Sequence, residues 1–164
     1  MPASESLKPL LDLRDDAYLL GLRMLRNAAD AEDAVQDAYL RVARSNAQLP
    51  PEAERRTWFL CIVANAARDL LRSNQRRRTR DTEAAMNATR TGETITSEKR
   101  AEIRELREQV VRAVDELEEK FRLPVSLHYE QGLTHAQSAQ ILQMDHGTVR
   151  VYASRRRSSR SLTR

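Results

Sequence analysis

The chain has 164 residues, room for one ordinary domain or two small ones, and its 40% hydrophobic fraction favours two small modules over one large core. Net charge is +4 with a pI near 9.6, and the 28 basic residues are all arginine except Lys8, Lys99 and Lys120; a planar guanidinium grips phosphate or a guanine edge with two prongs, where an ammonium acts as a point charge. No apolar run approaches the roughly 20 residues of a membrane span, the N-terminus lacks the layout of a signal peptide, and the single cysteine, Cys61, excludes an intrachain disulfide and any multi-cysteine metal site, so a reduced cytoplasmic setting is expected.

Strand signals are nearly absent, because glycine is scarce and apolar residues recur at spacings of three and four. The expected fold is all-α. A first helix is predicted from Leu7 to about Arg26, with Leu10, Leu13, Ala17, Leu20 and Met24 on one face and Asn27 as its stop. Asp30 then reads as an N-cap for a second helix, Ala31 to about Arg44, which turns Ala34, Val35, Ala38 and Val42 inward. Pro50 and Pro51 make 45–56 a loop. A third helix from about Thr57 to Ser73 buries Trp58, Ile62, Val63, Ala66 and Leu70, and carries Cys61, Asn65, Arg68 and Arg72 as a polar stripe.

A basic cluster over 75–80 closes this first module, 7–78. Residues 79–97 are polar and threonine-rich, too poor in apolar surface to offset their ordering entropy, and read as a flexible linker. The second module, 98–160, opens with an amphipathic helix to about Leu117 carrying Ile103, Leu106, Val110 and Val114. A further helix over 118–131 must place Pro124 near its start or at a kink, and Gly132 suits the left-handed position that ends it.

Thr134 with Gln137 forms a capping box that starts a short helix through Leu142. Gln143, Met144 and Asp145 make a three-residue turn into a helix beginning at His146. Ala136, Ala139, Ile141 and Leu142 pack the first of these helices, and Val149 and Tyr152 hold the second against it. This is a helix-turn-helix, whose second helix lies in the major groove of duplex DNA. His146, Thr148, Arg150, Ser154 and Arg155 are the candidate base readers, and Arg156, Arg157 and Arg160 the candidate phosphate contacts. From Arg150 to Arg164 no acidic residue occurs, and a one-signed end argues for a polyanion partner.

Two stretches together resemble the extracytoplasmic-function sigma factors of bacterial RNA polymerase. The run Arg122-Leu-Pro-Val-Ser-Leu-His-Tyr-Glu-Gln-Gly-Leu-Thr, with Ala136, Ala139, Ile141, Leu142 and Gly147-Thr148-Val149-Arg150, is similar to their region 4. The run Asp30-Ala-Glu-Asp-Ala-Val-Gln-Asp-Ala-Tyr-Leu, followed by Trp58, Ile62, Asn65, Asp69 and Arg72, is similar to their region 2. The resemblance implies that Glu32, Asp33, Gln36 and Asp37 dock on a coiled coil of the core polymerase, an acidic face meeting a basic partner. It also implies that Asn65 contacts a base of the opened minus 10 element, with Arg68, Arg72, Arg76 and Arg77 on its phosphates, and that the 45–56 loop is the lip of the base pocket. His146, Thr148, Arg150, Ser154, Arg155, Arg156 and Arg157 then read the minus 35 duplex. Partners implied are core polymerase, promoter DNA and the anti-sigma protein that the family often has. No catalytic residue, cofactor or metal is implied, and no sensory domain is expected after the last helix.

The competing function is a stand-alone helix-turn-helix regulator that binds an operator without polymerase, a reading that uses the C-terminal module alone. An enzyme finds no support in a glycine-rich phosphate loop, a metal set or a nucleophile and base pair. Two residues depart from the family pattern: Gln143 stands where glycine is usual in the turn, and Ser138 where an apolar residue is common. Trp58 reads as a core anchor, Cys61 as a small space-filling thiol, and the three histidines as scattered.

Overall fold

The computed structural model describes residues 3–45, 48–78, 109 and 112–154, and among these every regular element is helical. The linker over 79–97, most of the expected helix after it, and Arg155, Arg156, Arg157 and Arg160 lie outside the described residues. The first module is built from α1 (Ala3–Leu11), α2 (Arg14–Leu25), α3 (Ala28–Ser45) and α4 (Glu52–Arg78). The second comprises helical residues 112–115, α5 (Glu119–Val125), a wide π turn (Ser126–Glu130), α6 (His135–Leu142) and α7 (His146–Ser154).

Where the sequence predicts one helix over Leu7–Arg26, the structure has two. Leu13 N–H closes a tight turn on the Leu10 carbonyl at 3.0 Å, and the bend keeps Leu10, Ala17, Leu20 and Met24 all in the core. The cap of α3 is Asn27 rather than Asp30: the Asn27 side-chain oxygen accepts the Asp30 N–H at 3.0 Å, while the Asp30 carboxylate receives the Asn74 amide at 3.2 Å. Gly21 lets α2 and α3 touch, since a Cβ there would stand 3.3 Å from the Ala31 carbonyl oxygen.

The third predicted helix begins five residues early, at Glu52, so the prolines mark its start rather than a long loop. Pro51 lacks an N–H, which the first turn does not need, and its carbonyl accepts from Glu54 and Arg55 at 2.9 and 3.0 Å. The inward face also differs from the expected one. Phe59, Leu60, Val63, Ala64, Ala66 and Ala67 are buried, while Trp58, Ile62 and Leu70 are only half-buried at its margins. Phe59, not Trp58, is the aromatic anchor, packed on Tyr39 with ring centroids 4.9 Å apart.

Pro124 sits inside α5, where its missing N–H leaves the preceding turn one bond short, and the chain runs on into the π turn, which Gln131 N–H closes on the Ser126 carbonyl at 3.2 Å. Gly132 takes φ +66, the left-handed stop predicted for it. The two modules then share one apolar core: Leu127, Leu133, Ile141 and Leu142 join the buried faces of α1 to α4.

Candidate nucleic-acid interface and acidic docking groove

The helix-turn-helix is built as its sequence predicts. Thr134 accepts the Gln137 N–H at 3.2 Å and the Gln137 side chain accepts the Thr134 N–H at 2.9 Å, closing the capping box of α6. Two bonds end that helix, Gln143 N–H to the Gln140 carbonyl at 3.3 Å and Met144 N–H to the Ala139 carbonyl at 3.0 Å. This paired closure requires a left-handed residue, and Gln143 supplies it at φ 56, a conformation that costs a non-glycine residue roughly 1 kcal/mol. Ala139, Ile141, Leu142, Val149 and Ala153 are buried, but Ala136 faces solvent rather than packing the helix pair.

Asp145 caps α7, its Oδ2 accepting the Thr148 N–H at 3.1 Å. On α7, His146, Arg150 and Ser154 are exposed and Thr148 is half-buried; the Ser154 hydroxyl donates back to the Arg150 carbonyl at 2.7 Å. Tyr152 lies edge-on to Phe121 with centroids 5.1 Å apart, tying α7 to α5. The histidines are not scattered. His128 stacks on His135 at 4.2 Å between centroids, and His135 faces His146 at 6.4 Å. Burial lowers the His135 pKa, and His128, His146 and Arg150 push the same way.

Two residues of the polar stripe of α4, Asn65 and Arg68, face the second module, while Arg72 faces solvent. Asn65 Oδ1 accepts from Arg68 Nη1 at 2.8 Å and from Gln143 Nε2 at 3.1 Å. Arg68 Nη2 donates to the Ile141 carbonyl at 2.8 Å, and burial lowers its pKa. Arg72 is exposed, with Asp69 at 3.6 Å, and Arg76 is exposed; Arg77 belongs to α4 but its side chain lies outside the described residues. Cys61 is half-buried, and burial raises its thiol pKa against the pull of Arg68, which keeps it a protonated filler rather than a nucleophile.

Beside this stripe, α3 and α4 form a groove of about 430 Å³ lined by Asp33, Gln36, Asp37, Leu40, Ala66, Asp69, Leu70 and Ser73. Glu32, Asp33 and Gln36 are exposed and Asp37 is half-buried. Arg41 holds the two walls together, bonding Asp69 at 2.8 Å and Asp37 at 2.7 Å, and the Asp69 bond is the main cause of its raised pKa. Sequence reasoning found the acidic rim and expected Leu70 to be apolar and inward, but missed Leu40 in the groove lining. Leu40 is 49% exposed, and its position between Tyr39 and Arg41 gives no periodic signal of an outward apolar residue.

A helical bundle with an acidic groove, joined to a helix-turn-helix whose second helix exposes Arg150, defines a two-module DNA-binding transcription factor. Residues 12–77 match Sigma-70 region 2 and residues 107–158 match Sigma-70 region 4. The chain belongs to the extracytoplasmic-function RNA polymerase sigma factors, a family of non-catalytic initiation factors that bind core polymerase and promoter DNA. It is similar to the RNA polymerase sigma-H factor of Pseudomonas aeruginosa, 28% identical over 86% of this chain and 77% of the relative. It is also similar to the ECF RNA polymerase sigma factor SigK of Mycolicibacterium vanbaalenii, 29% identical over 84% of this chain and 70% of the relative. A shorter stretch is 48% identical to the RNA polymerase sigma factor CarQ of Myxococcus xanthus, over 30% of this chain and 29% of that protein. The region 2 match favours a sigma factor over the stand-alone regulator, which has no use for it. No helix among the described residues is long and apolar enough to cross a membrane.

Proposed function

We propose that the chain is an alternative sigma factor acting in the cytoplasm, with 7–78 gripping core polymerase and the minus 10 element, 79–97 as the linker, and 98–160 gripping the minus 35 element. The observation that carries this reading is the acidic groove between α3 and α4, beside an arginine stripe on α4. Neighbouring surfaces of opposite sign suit a protein that bridges a basic partner and a polyanion. Glu32, Asp33, Gln36 and Asp37 meet the polymerase around the apolar floor of Leu40 and Leu70. Asn65 takes a base of the opened minus 10 strand, with Arg68, Arg72, Arg76 and Arg77 on phosphates. His146, Thr148, Arg150 and Ser154 reach the minus 35 groove, backed by Arg155, Arg156 and Arg157. An anti-sigma protein is the proposed regulatory partner, in line with the family resemblance.

Run-off transcription with purified core polymerase on a library of genomic fragments tests the reading. Promoter-dependent transcripts that require the added chain are the expected result. No such product, together with no binding to core, overturns it.

A further inference from the structure

We propose that His128, His135 and His146 form a seat for a backbone phosphate of duplex DNA, filled as their rings take up a proton from solvent. The proposal rests on the reading that α7 docks in duplex DNA, and adds the residues that make this docking proton-linked. The three histidines are all that the chain has, and the fold collects them from the π turn, the first position of α6 and the first position of α7. His128 stacks on His135 with centroids 4.2 Å apart and planes 26° apart, and His135 lies 6.4 Å from His146. Tyr129 closes the outer end of the row, edge-on to His128 at 4.8 Å.

The row leads off the reading helix. His146 and Arg150 are exposed and one turn apart on α7, so they share a face. In a helix-turn-helix the second helix enters the groove while the first crosses the sugar-phosphate backbone. His135 opens that first helix and is half-buried beside the exposed His146. A phosphate on the groove's edge is thus within reach of the row.

Ring chemistry fixes what the row offers. His128 Nδ1 stands 2.7 Å from the Leu133 carbonyl oxygen. A carbonyl only accepts, so Nδ1 carries the hydrogen of the neutral ring and Nε2 is left to take the added proton. The stacked rings of His128 and His135 present faces to one another rather than lone pairs, which suits an outward bond to an anion and not a shared metal ion.

In the free chain that proton is held off. Burial, then His128, His146 and Arg150, lower the His135 pKa, and two like charges about 4 Å apart repel by ~1 kcal/mol even in water. The carboxylates of the flanking segments are committed elsewhere: Asp145 Oδ2 caps Thr148 at 3.1 Å, and Glu130 takes Arg23 Nε at 3.1 Å and the Ser126 hydroxyl. Around α5, Glu119 acts on Arg122, Glu118 pairs with Lys120 at 2.7 Å, and Arg122 donates to the Leu117 carbonyl at 3.4 Å. On α4, Arg56 bonds Asp16 and the Gln131 carbonyl, and Arg68 bonds the Ile141 carbonyl at the far end of α6 from His135. A phosphate supplies the missing negative charge, and an imidazolium N–H on a phosphate oxygen is a charge-assisted bond. Docking and protonation therefore favour one another, and duplex binding tightens as pH falls.

The test uses the full chain without polymerase and a tetramethylrhodamine-labelled pool of random-sequence duplex DNA. Anisotropy at fixed ionic strength is expected to show affinity rising about fivefold between about pH 7.5 and about pH 6.0. Proton resonances of the histidine rings are expected to show the His135 titration midpoint rising by about 1 pH unit when the pool is added. His135→Gln keeps a polar but neutral side chain and is expected to reduce the pH response to about twofold or less. His135→Arg, with a fixed charge, is expected to bind at about pH 7.5 as tightly as wild type does at about pH 6.0, with a flatter profile. If neither variant folds, the wild-type resonances decide. Duplex binding with no pH response, or with no rise in any histidine midpoint, overturns the seat and leaves the docking of α7 standing. A full pH response in folded His135→Gln overturns it as well. No binding of the pool at either pH overturns the docking and the seat together.

Discussion

Asp145 Oδ2 accepts the Thr148 N–H at 3.1 Å and also lies 2.9 Å from where a Cβ on Gly147 would stand, so cap and glycine are one unit at the start of the reading helix. Asp145→Ala deletes the cap and is expected to lower stability by about 1 kcal/mol. Gly147→Ala gains up to about 1 kcal/mol of helix propensity but displaces the carboxylate, so the single variant should stay within about 0.5 kcal/mol of wild type. With the cap already gone, the same alanine has nothing to displace. The double variant should therefore be more stable than Asp145→Ala alone, a non-additivity that urea denaturation can measure.

That unit shows which parts of the molecule the sequence could reveal. Thr134 and Gln137 were legible because both partners of the capping box lie within four residues, and the left-handed Gly132 because its residue type is the signal. Helix α4 began earlier than expected because a proline that forbids a helix interior is welcome at its first turn. The α1–α2 bend had no such signal, since Leu13 is held by a backbone turn and by burial on both sides of it. Least legible was the join between modules. Arg23 and Glu130 are 107 residues apart, and neither carries a mark that it will be buried against the other. The stripe of Asn65 and Arg68 was correctly read as polar, but a polar stripe does not tell whether water, DNA or another helix will face it.

Charge reversal on the groove rim is expected to separate binding from stability. Asp33 and Gln36 are exposed and line the groove without taking part in the Arg41 bridge. Asp33→Arg combined with Gln36→Arg should weaken association with core polymerase by about tenfold, chiefly through the on-rate. Thermal stability should barely change, because exposed charges contribute little to folding. The loss should shrink at high salt, where such steering is screened. Equal affinity for core in wild type and variant would remove this face from the docking site.

The histidine stack makes stability depend on pH. Burial, aided by His128, His146 and Arg150, holds the His135 pKa below its ordinary 6.5, so the unfolded chain binds a proton more readily than the folded one. The contribution from this residue is complete above pH 6.5 and is lost as pH falls from there towards the lower folded value. His128 Nδ1 is engaged with the Leu133 carbonyl at 2.7 Å, which keeps its ring in the stack. His135→Asn should therefore flatten the fall in melting temperature between about pH 7.5 and about pH 5.5 relative to wild type. An unchanged slope in the variant would assign the pH response to other groups.

Ser138 offers the reverse experiment, a substitution that should improve the fold. Its side chain is fully buried at 0% exposure in α6, and its hydroxyl has no hydrogen-bond partner. A buried hydroxyl without a partner has lost its water and gained nothing for it, at about 1–3 kcal/mol by mutational measures. Ser138→Ala removes that group, leaves a void smaller than a methyl group, and adds helix propensity of a few tenths of a kcal/mol. The expected gain is about 1 kcal/mol in urea denaturation, the lower end being chosen because the freed space is not refilled. Ser138→Val would fill it but adds a β-branched side chain to an eight-residue helix that is already packed against both α4 and α7, so overpacking should cancel the benefit. A loss of stability in Ser138→Ala would mean that the hydroxyl has a partner in solution, and the α6 packing described above would need a bound water at that site.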